Sequence, residues 1–313
     1  MSSPIVSVVI PTYNQADLLE ETLATVYAQT FTDYDIVVVN DGSTDDTEQR
    51  LRKYGDRLRV VTQDNRGIGA ARNCGLAEAQ GRYVALLDHD DLWRPEKLAV
   101  QVEFMKSHPE CVGNSVPYAY STSPDQCAFD LSIRGSDGIV YNALQKYAQG
   151  QLFLLSTAIM VDREKVGDLR YETERQCIED LPYQLKLLLR GPYGIAGNRI
   201  NAIYRMHKTN TSMSARHHYN GIRLLRRIER EGGFGTLSPK DRTSISQCIA
   251  FFARGSAVRQ VRAGSRWRGL LCYLREFLHQ LRDGKFKFLL VFPIVLFTPQ
   301  FILRWRWPSK LTD

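Results

Sequence analysis

The residues best suited to chemistry stand together at Asp88-His89-Asp90-Asp91, directly behind the apolar run Tyr83-Val84-Ala85-Leu86-Leu87. Such a run suits a buried central strand. Three carboxylates at its end repel one another unless a cation or a proton neutralises them. Hard divalent cations, Mg²⁺ and Mn²⁺ among them, take oxygen ligands and share them with substrate phosphates. Asp88 and Asp90 are therefore candidates to hold a metal-bound nucleotide diphosphate. The competing reading is a solvated acidic turn that caps the helix starting near Pro95. A second acidic pair, Glu179-Asp180, opens the apolar-periodic stretch that runs to Arg190, with Pro182 in its first turn. Acidic residues there also complement the helix dipole, which is a purely structural reason for them.

The elements that must position these groups alternate along the chain. Ile5–Ile10 is rich in β-branched residues and reads as a buried first strand ending at Pro11-Thr12-Tyr13-Asn14. Apolar residues at 18, 19, 23, 26 and 27 follow at helical spacing, with Asp17 as the expected cap. Tyr34–Asn40 is a second strand that ends on Asp41, residues 44–54 a second helix, and 58–62 a third strand. Residues 65–76 lead into a third helix ending near Gly81. This alternation predicts a parallel sheet covered on both faces. Ligands of such sheets bind at the carboxyl ends of the strands, where Tyr13, Asp41 and Asp88 all lie. That convergence favours a ligand over a bare acidic turn.

Gly67 and Gly69 suggest a dinucleotide loop, but Arg72 stands where the third glycine belongs, and the segment follows the third strand rather than the first. Arg72, on the first turn of its helix, faces either a phosphate or base or simply the surface. Residues 96–107 place Leu98, Val102, Phe104 and Met105 on one core-facing stripe. Residues 111–140 predict loops around short strands, 151–161 a further strand of the sheet, and 201–214 a strand followed by a polar loop.

The chain has 313 residues, 43% apolar and 24% charged, which fits one large globular domain with an appendage. Its charge is unevenly spread: residues 1–214 hold 22 Lys+Arg against 28 Asp+Glu, whereas residues 215–313 hold 19 against 6. The basic tail suits an anionic surface. Six scattered cysteines with no C-x-x-C pair signal neither a zinc site nor a disulfide framework, and Met1-Ser2-Ser3-Pro4 lacks the plan of a signal peptide. A reducing cytoplasmic setting is expected.

Within the tail, helices are expected at 218–231, 243–261 and 267–281. The run from Phe288 to Leu303 is the most apolar in the chain. Its sixteen residues fall short of the ~20 of a membrane-spanning helix, and Pro293 and Pro299 interrupt it. Lys285, Lys287, Arg304, Arg306, Trp305 and Trp307 flank it in the manner of an interfacial anchor. The expectation is peripheral association, through 285–307, with an anionic membrane surface on the cytoplasmic face. A buried core helix and a true or re-entrant span are the alternatives. No nucleic-acid-binding motif is visible.

Five segments together resemble the family 2 inverting glycosyltransferases with the GT-A nucleotide-sugar fold. They are Ser7–Asn14, Val39–Asp45, Asn65–Asn73, Leu87–Trp93 and Glu179-Asp180, in the family's order across residues 5–190. The resemblance implies a Rossmann-like α/β domain with a mostly parallel sheet over 1–214. Its nucleotide-binding half is 1–93 and its acceptor half 94–214; 215–313 lies outside the resemblance and is expected, from its own composition, to be a helical, membrane-associating extension. It implies a nucleotide-sugar donor, a lipid-linked or polysaccharide acceptor, and Mn²⁺ or Mg²⁺. Pro11 and Tyr13 border the base, Asp41 accepts a hydrogen bond from a pyrimidine, and Arg72 contacts base or phosphate. Asp88 lies near ribose and metal, Asp90 is the more direct metal ligand, and Asp180 is the catalytic base. Tyr204-Arg205-Met206-His207, with Asn210 and Ser212 beyond, resembles a segment of bacterial members. It places Arg205 at the diphosphate and His207 at diphosphate and metal. The segment Val166–Glu172 replaces the family's glycine-rich approach to the Glu-Asp pair. Two other readings stand beside this one: a sugar-nucleotide pyrophosphorylase-like nucleotidyltransferase, which lacks its lysine-containing phosphate loop here, and a non-catalytic binder of anionic surfaces.

Overall fold

The computed structural model describes residues 3–123, 126–128, 137–207, 210, 214–282 and 284–298. Pro299, Arg304, Trp305, Arg306, Trp307 and Ser212 lie outside the described residues. The chain falls into two compact units, one of Met1–Ala143, Leu152–Arg175 and Glu179–Lys208, the other of Leu144–Gln151, Gln176–Ile178 and Thr209–Asp313.

The first unit begins with β1 (Val6–Thr12), α1 (Ala16–Tyr27), β2 (Tyr34–Asn40), α2 (Thr47–Arg52), β3 (Arg59–Thr62), α3 (Ile68–Glu78) and β4 (Tyr83–Leu86). Then come β5 (Leu92–Trp93), α4 (Lys97–Ser107), β6 (Gly113–Ser115), β7 (Tyr118–Ser123), β8 (Gln126–Ala128) and β9 (Gly138–Val140). After α5 (Ala143–Ala148), whose residues from Leu144 belong to the second unit, follow β10 (Ile159–Asp162), α6 (Arg163–Val166), α7 (Asp180–Leu189), β11 (Tyr193–Ile195) and β12 (Ala202–Arg205). Eight strands form the main sheet in the order β3-β2-β1-β4-β10-β6-β11-β9. The first four are parallel, as their apolar runs require when helices cover both faces. β10 is antiparallel to both β4 and β6, which makes the sheet mixed. Of the stretch 151–161, only its end pairs as a strand.

β4 ends at Leu86, and the chain then leaves the main sheet. Leu92 and Trp93 join a second sheet, β5-β12-β7-β8, where β5 pairs antiparallel with β12 through Ala202↔Trp93 and Ile203↔Leu92. The acidic turn 88–91 therefore spans the gap between two sheets. Two glycines set the closeness of α3. A Cβ on Gly75 would lie 2.2 Å from Val9 Cγ1, and one on Gly69 would lie 2.2 Å from the Glu172 carbonyl oxygen. Only glycine lets α3 lie this near β1 and the 172 segment.

Two expected caps are replaced. Asp17 sits in the first turn of α1 rather than at its cap; Gln15 holds that place in a left-handed conformation, and Asp45 Oδ2 accepts from the Ala16 N–H at 3.3 Å. Asp91 does not cap α4. It is fully buried, and α4 starts at Lys97 without a side-chain cap.

The second unit contains α8 (Ala215–Arg230), α9 (Pro239–Arg262), α10 (Arg266–Arg282) and α11 (Phe286–Phe297). Its core gathers Ala257 and Val261 of α9, Cys272 and Tyr273 of α10, and Phe288, Phe292 and Val295 of α11. Pro293 sits inside α11. Among the described residues no helix is long and apolar enough to cross a membrane.

Candidate active site

Three parallel strands end side by side, and each delivers part of the site. At the end of β1, Asn14 and Gln15 both adopt left-handed backbone angles (φ 58 and 63), a strained pair for non-glycine residues. Bonds to the β2 loop hold them: the Asn14 N–H donates to Ser43 Oγ, and Asn14 Oδ1 accepts from the Thr44 N–H, both at 2.8 Å. Tyr13, on this loop, is exposed. Asp41, at the end of β2, is buried and accepts from Gln63 Nε2 (2.6 Å), Arg66 N–H (2.9 Å) and Gly67 N–H (2.8 Å). Its carboxylate thus fixes the loop that leads into α3.

Behind β4, the carboxylates divide among three environments. Asp88 is gripped by Arg72 Nη2 at 2.7 and 3.0 Å, while Arg72 Nη1 donates to Glu179 Oε1 at 2.6 Å. Arg72 is buried, and its guanidinium lies over the Tyr171 ring at 5.1 Å. Tyr171 in turn stacks on Tyr183 with centroids 3.9 Å apart. Burial works against the arginine's charge, but Asp88 and Glu179 outweigh it and hold the group charged. A rigid fork with two carboxylates suits arginine rather than lysine.

Asp90 Oδ2 meets His207 Nε2 at 2.8 Å. The β5–β12 pairing explains this contact, because it lays the chain after Asp90 against the chain before His207. Arg205 of β12 turns inward. Its Nε donates to the Asp90 carbonyl, its Nη1 pairs with Glu21, and its Nη2 donates to the Leu18 carbonyl (3.1 Å) and Thr22 Oγ1 (3.2 Å). All three guanidinium nitrogens are thereby bonded to the protein itself.

Asp91 accepts the Arg205 N–H at 3.0 Å on Oδ1, and its Oδ2 is buried with no partner among the described residues. Burial first, then the charges of Asp90 and Asp88, push its carboxyl well above the usual carboxylate range. His89 places Nδ1 3.2 Å from the Pro11 carbonyl, and this is the contact by which Pro11 reaches the cluster.

Asp180 opens α7 and is half-buried. Burial and the neighbouring Glu179 charge push its carboxyl up to about 7, against the lowering effect of Arg72. A carboxyl with that value is able to accept a proton near neutrality and to release it again.

The structure thus joins Asp88, Arg72 and the Glu179-Asp180 pair in one chain of contacts, and Asp90, His207 and Arg205 in another. Asp41 anchors a separate loop, and Tyr13 stands open at the β1 end. Tyr171 is a member that the sequence reading did not single out. Asn73 holds its backbone through bonds of 2.7 and 2.9 Å. The unusual make-up of Val166–Glu172 was the signal that pointed there. Glu21 and Thr22 carried no signal, because they look like ordinary positions of an amphipathic helix.

The fit to a divalent cation follows from this donor set. Among the described residues no three His, Cys, Asp or Glu side chains form a metal-holding group by themselves. Asp90 and His207 nevertheless offer an oxygen and a nitrogen at one point, in keeping with a cation that completes its shell with substrate phosphates and water.

A mixed α/β sheet whose first four strands are parallel, with acidic strand ends and a second, smaller sheet, is the framework of a GT-A glycosyltransferase. Solved structures share it. Staphylococcus aureus TarS 1–349, in complex with UDP-GlcNAc, aligns with a TM-score of 0.59 at 18% identity, over 89% of this chain and 92% of TarS 1–349. The mannosyltransferase PcManGT from Pyrobaculum calidifontis, in complex with GDP-Man and Mn²⁺, gives 0.60 at 19% identity, over 97% and 88%. Residues 7–166 match the family model described as Glycosyl transferase family 2. TuaG of Bacillus subtilis, a glycosyltransferase assigned to teichuronic acid biosynthesis, is 35% identical over 217 residues, covering 68% of this chain and 82% of TuaG. WfaP of Escherichia coli, named UDP-Glc:alpha-D-GlcNAc-diphosphoundecaprenol beta-1,3-glucosyltransferase, is 29% identical over 212 residues, or 66% and 80%. The chain belongs to glycosyl transferase family 2 and is a glycosyltransferase. The pyrophosphorylase-like and non-catalytic readings fall away with that.

Proposed function

We propose that this glycosyltransferase moves a sugar from a nucleoside-diphosphate donor to a hydroxyl of a lipid-linked glycan or surface polysaccharide, with inversion. The observation that carries the reading is the Asp88–Arg72–Glu179 bridge, which ties the donor-side acidic turn to the residue preceding Asp180. Asp180 takes the acceptor proton as the acceptor oxygen bonds to the anomeric carbon. The bond from that carbon to the diphosphate oxygen breaks, and its electron pair leaves with the nucleoside diphosphate. Attack and departure on opposite faces of the sugar invert its configuration. Pro11, Tyr13 and Asp41 form the base end of the site. Asp88, held by Arg72, faces the ribose.

Asp90 and His207, with Asp88 as a third candidate ligand, would hold Mn²⁺ or Mg²⁺, which when bound offsets the charge of the departing diphosphate. Arg205 positions the Asp90 turn by gripping its carbonyl. The names of TuaG and WfaP, which point to cell-surface glycan synthesis and a lipid-linked acceptor, support the acceptor class. The 1–214 region carries catalysis. The tail associates through 285–307 with the anionic inner face of the cell membrane, in keeping with its basic composition.

Asp180→Asn tests the central assignment. Transfer from UDP- or GDP-sugars is expected to stop while donor binding by calorimetry persists. Unchanged turnover would remove Asp180 as base.

A further inference from the structure

Helix α10 has two apolar faces. Its buried face sets Cys272 and Tyr273 in the core and also carries two polar residues, Glu276 and Gln280. Both are matched by partners in the same unit. Arg226 of α8 grips Glu276 through Nε at 2.9 Å and through Nη2, while Arg254 of α9 donates to Gln280 Oε1 at 2.6 Å and Gln280 donates to the Ala250 carbonyl at 2.8 Å. The opposite face carries Trp267, Leu271, Leu274, Leu278 and Leu281, at alternating spacings of four and three that form one continuous stripe. Leu274 is 56% exposed and Leu278 74%. Cys272 and Tyr273 already serve the core, and a helix with no other task keeps its opposite face polar.

The next helix repeats the feature. α11 runs back along α10: the Lys285 N–H bonds to the Gln280 carbonyl at one end, and Arg266 Nη2 donates to the Thr298 carbonyl at the other. Its inner face packs Phe288 and Phe292 on Tyr273. Its outer face leaves Leu290 73%, Ile294 62% and Phe297 77% exposed. Among the described residues of this hairpin the exposed charges, Arg266, Arg268, Arg275, Lys285 and Lys287, are all positive. Among its described residues the acid Glu276 is turned inward.

These observations choose between two occupants. In a two-fold pair of identical chains, the same basic surface would face itself with no exposed acid among the described hairpin residues to pair with it. An anionic lipid surface supplies both missing partners, acyl chains for the stripes and headgroup charge for the arginines and lysines. We propose that α10 together with α11 is a docking surface for an anionic lipid bilayer, with Leu274, Leu278, Leu290 and Ile294 entering the acyl boundary. The proposal rests on the membrane reading of 285–307 for the nature of the partner and adds α10, which that reading does not use.

The test is co-sedimentation of the full chain with phosphatidylglycerol–phosphatidylethanolamine vesicles and with phosphatidylcholine vesicles, alongside sedimentation velocity without lipid. Wild type is expected to pellet with the anionic vesicles. Leu274→Gln/Leu278→Gln is expected to bind them about tenfold more weakly or worse, with an unchanged circular dichroism melt because both side chains are exposed. Wild-type binding by that variant overturns the proposal. So does a wild-type dimer that this variant turns into monomer without change in vesicle binding, which would give the face to a second copy. Leu290→Gln/Ile294→Gln separates the two readings: if it alone releases the protein, the 285–307 reading stands and α10 has no part. If wild type stays in the supernatant, both fall.

Discussion

Asp180→Asn should make this enzyme more stable as it becomes inactive, and the gain should depend on pH. Asparagine keeps the shape of the side chain and removes its charge and basicity. In the folded protein, burial and the Glu179 charge raise the Asp180 carboxyl from 3.8 to about 7. A group whose folded value lies above its unfolded one stabilises the fold in acid, and that contribution is lost as pH rises through about 7. Each pH unit in this window is worth ~1.4 kcal/mol, so wild type loses roughly 2–3 kcal/mol between pH 5 and pH 8 on account of this one group. The variant has no such loss. Its melting temperature relative to wild type should therefore rise by about 5 °C over that interval for a domain of roughly 200 residues. Turnover should fall by ~10²–10⁴, the usual share of a general base. In wild type, kcat/KM should climb with pH and level off above about 7, as Asp180 ionises. Thermal unfolding at pH 5 and pH 8, beside a transfer assay, checks all three. A melting difference equal at both pH values would refute the raised carboxyl, and retained turnover would refute the base.

Asp90→Ala should abolish the Mn²⁺ dependence of nucleoside-diphosphate binding; a calorimetric titration with wild-type affinity in Mn²⁺ would remove Asp90 and its His207 contact from the metal site. Arg72→Lys replaces a two-armed fork by a single ammonium between Asp88 and Glu179. Breaking such a buried bridge costs ~3–5 kcal/mol, so both melting temperature and turnover should fall, and an unchanged melt would show that the bridge does not bind the two halves of the site. Gly75→Ala would set a methyl 2.2 Å from Val9 Cγ1. Overpacking of this kind costs ~1–3 kcal/mol and should appear as a lower denaturant midpoint with donor affinity preserved among folded molecules.

What was legible in the sequence was what local pattern encodes. β1, β2 and β4 are short apolar runs ended by polar residues, so their strands and the positions of Tyr13, Asp41 and Asp88 followed directly. α7 announced itself through Glu179-Asp180 ahead of a leucine-rich period. Direction was not legible: Ile159–Asp162 looks like any apolar strand, and only its partners make it antiparallel. The three-residue strands β6 and β9 are too short to carry a period. Side-chain fate was hidden too. Asp91 has the sequence context of a helix cap, yet the backbone of Arg205, more than a hundred residues away, draws it into the interior. Arg205 likewise has the sequence context of a ligand-facing residue, and only the packing of α1 against the 88–91 turn shows its guanidinium bonded to Glu21 and Thr22.

The two-residue ladder between β5 and β12 sets a ruler for evolution and for engineering. Asp90 and His207 meet because fixed numbers of residues separate them from Leu92↔Ile203 and Trp93↔Ala202. One inserted residue on either side of that ladder would shift a side chain by about 3.3 Å and turn it to the other face. Insertions and deletions should thus be excluded from 90–93 and 202–207 while remaining tolerable in the loops beyond. A chimera that grafts an acceptor-side segment from a relative should place its junctions outside these two spans.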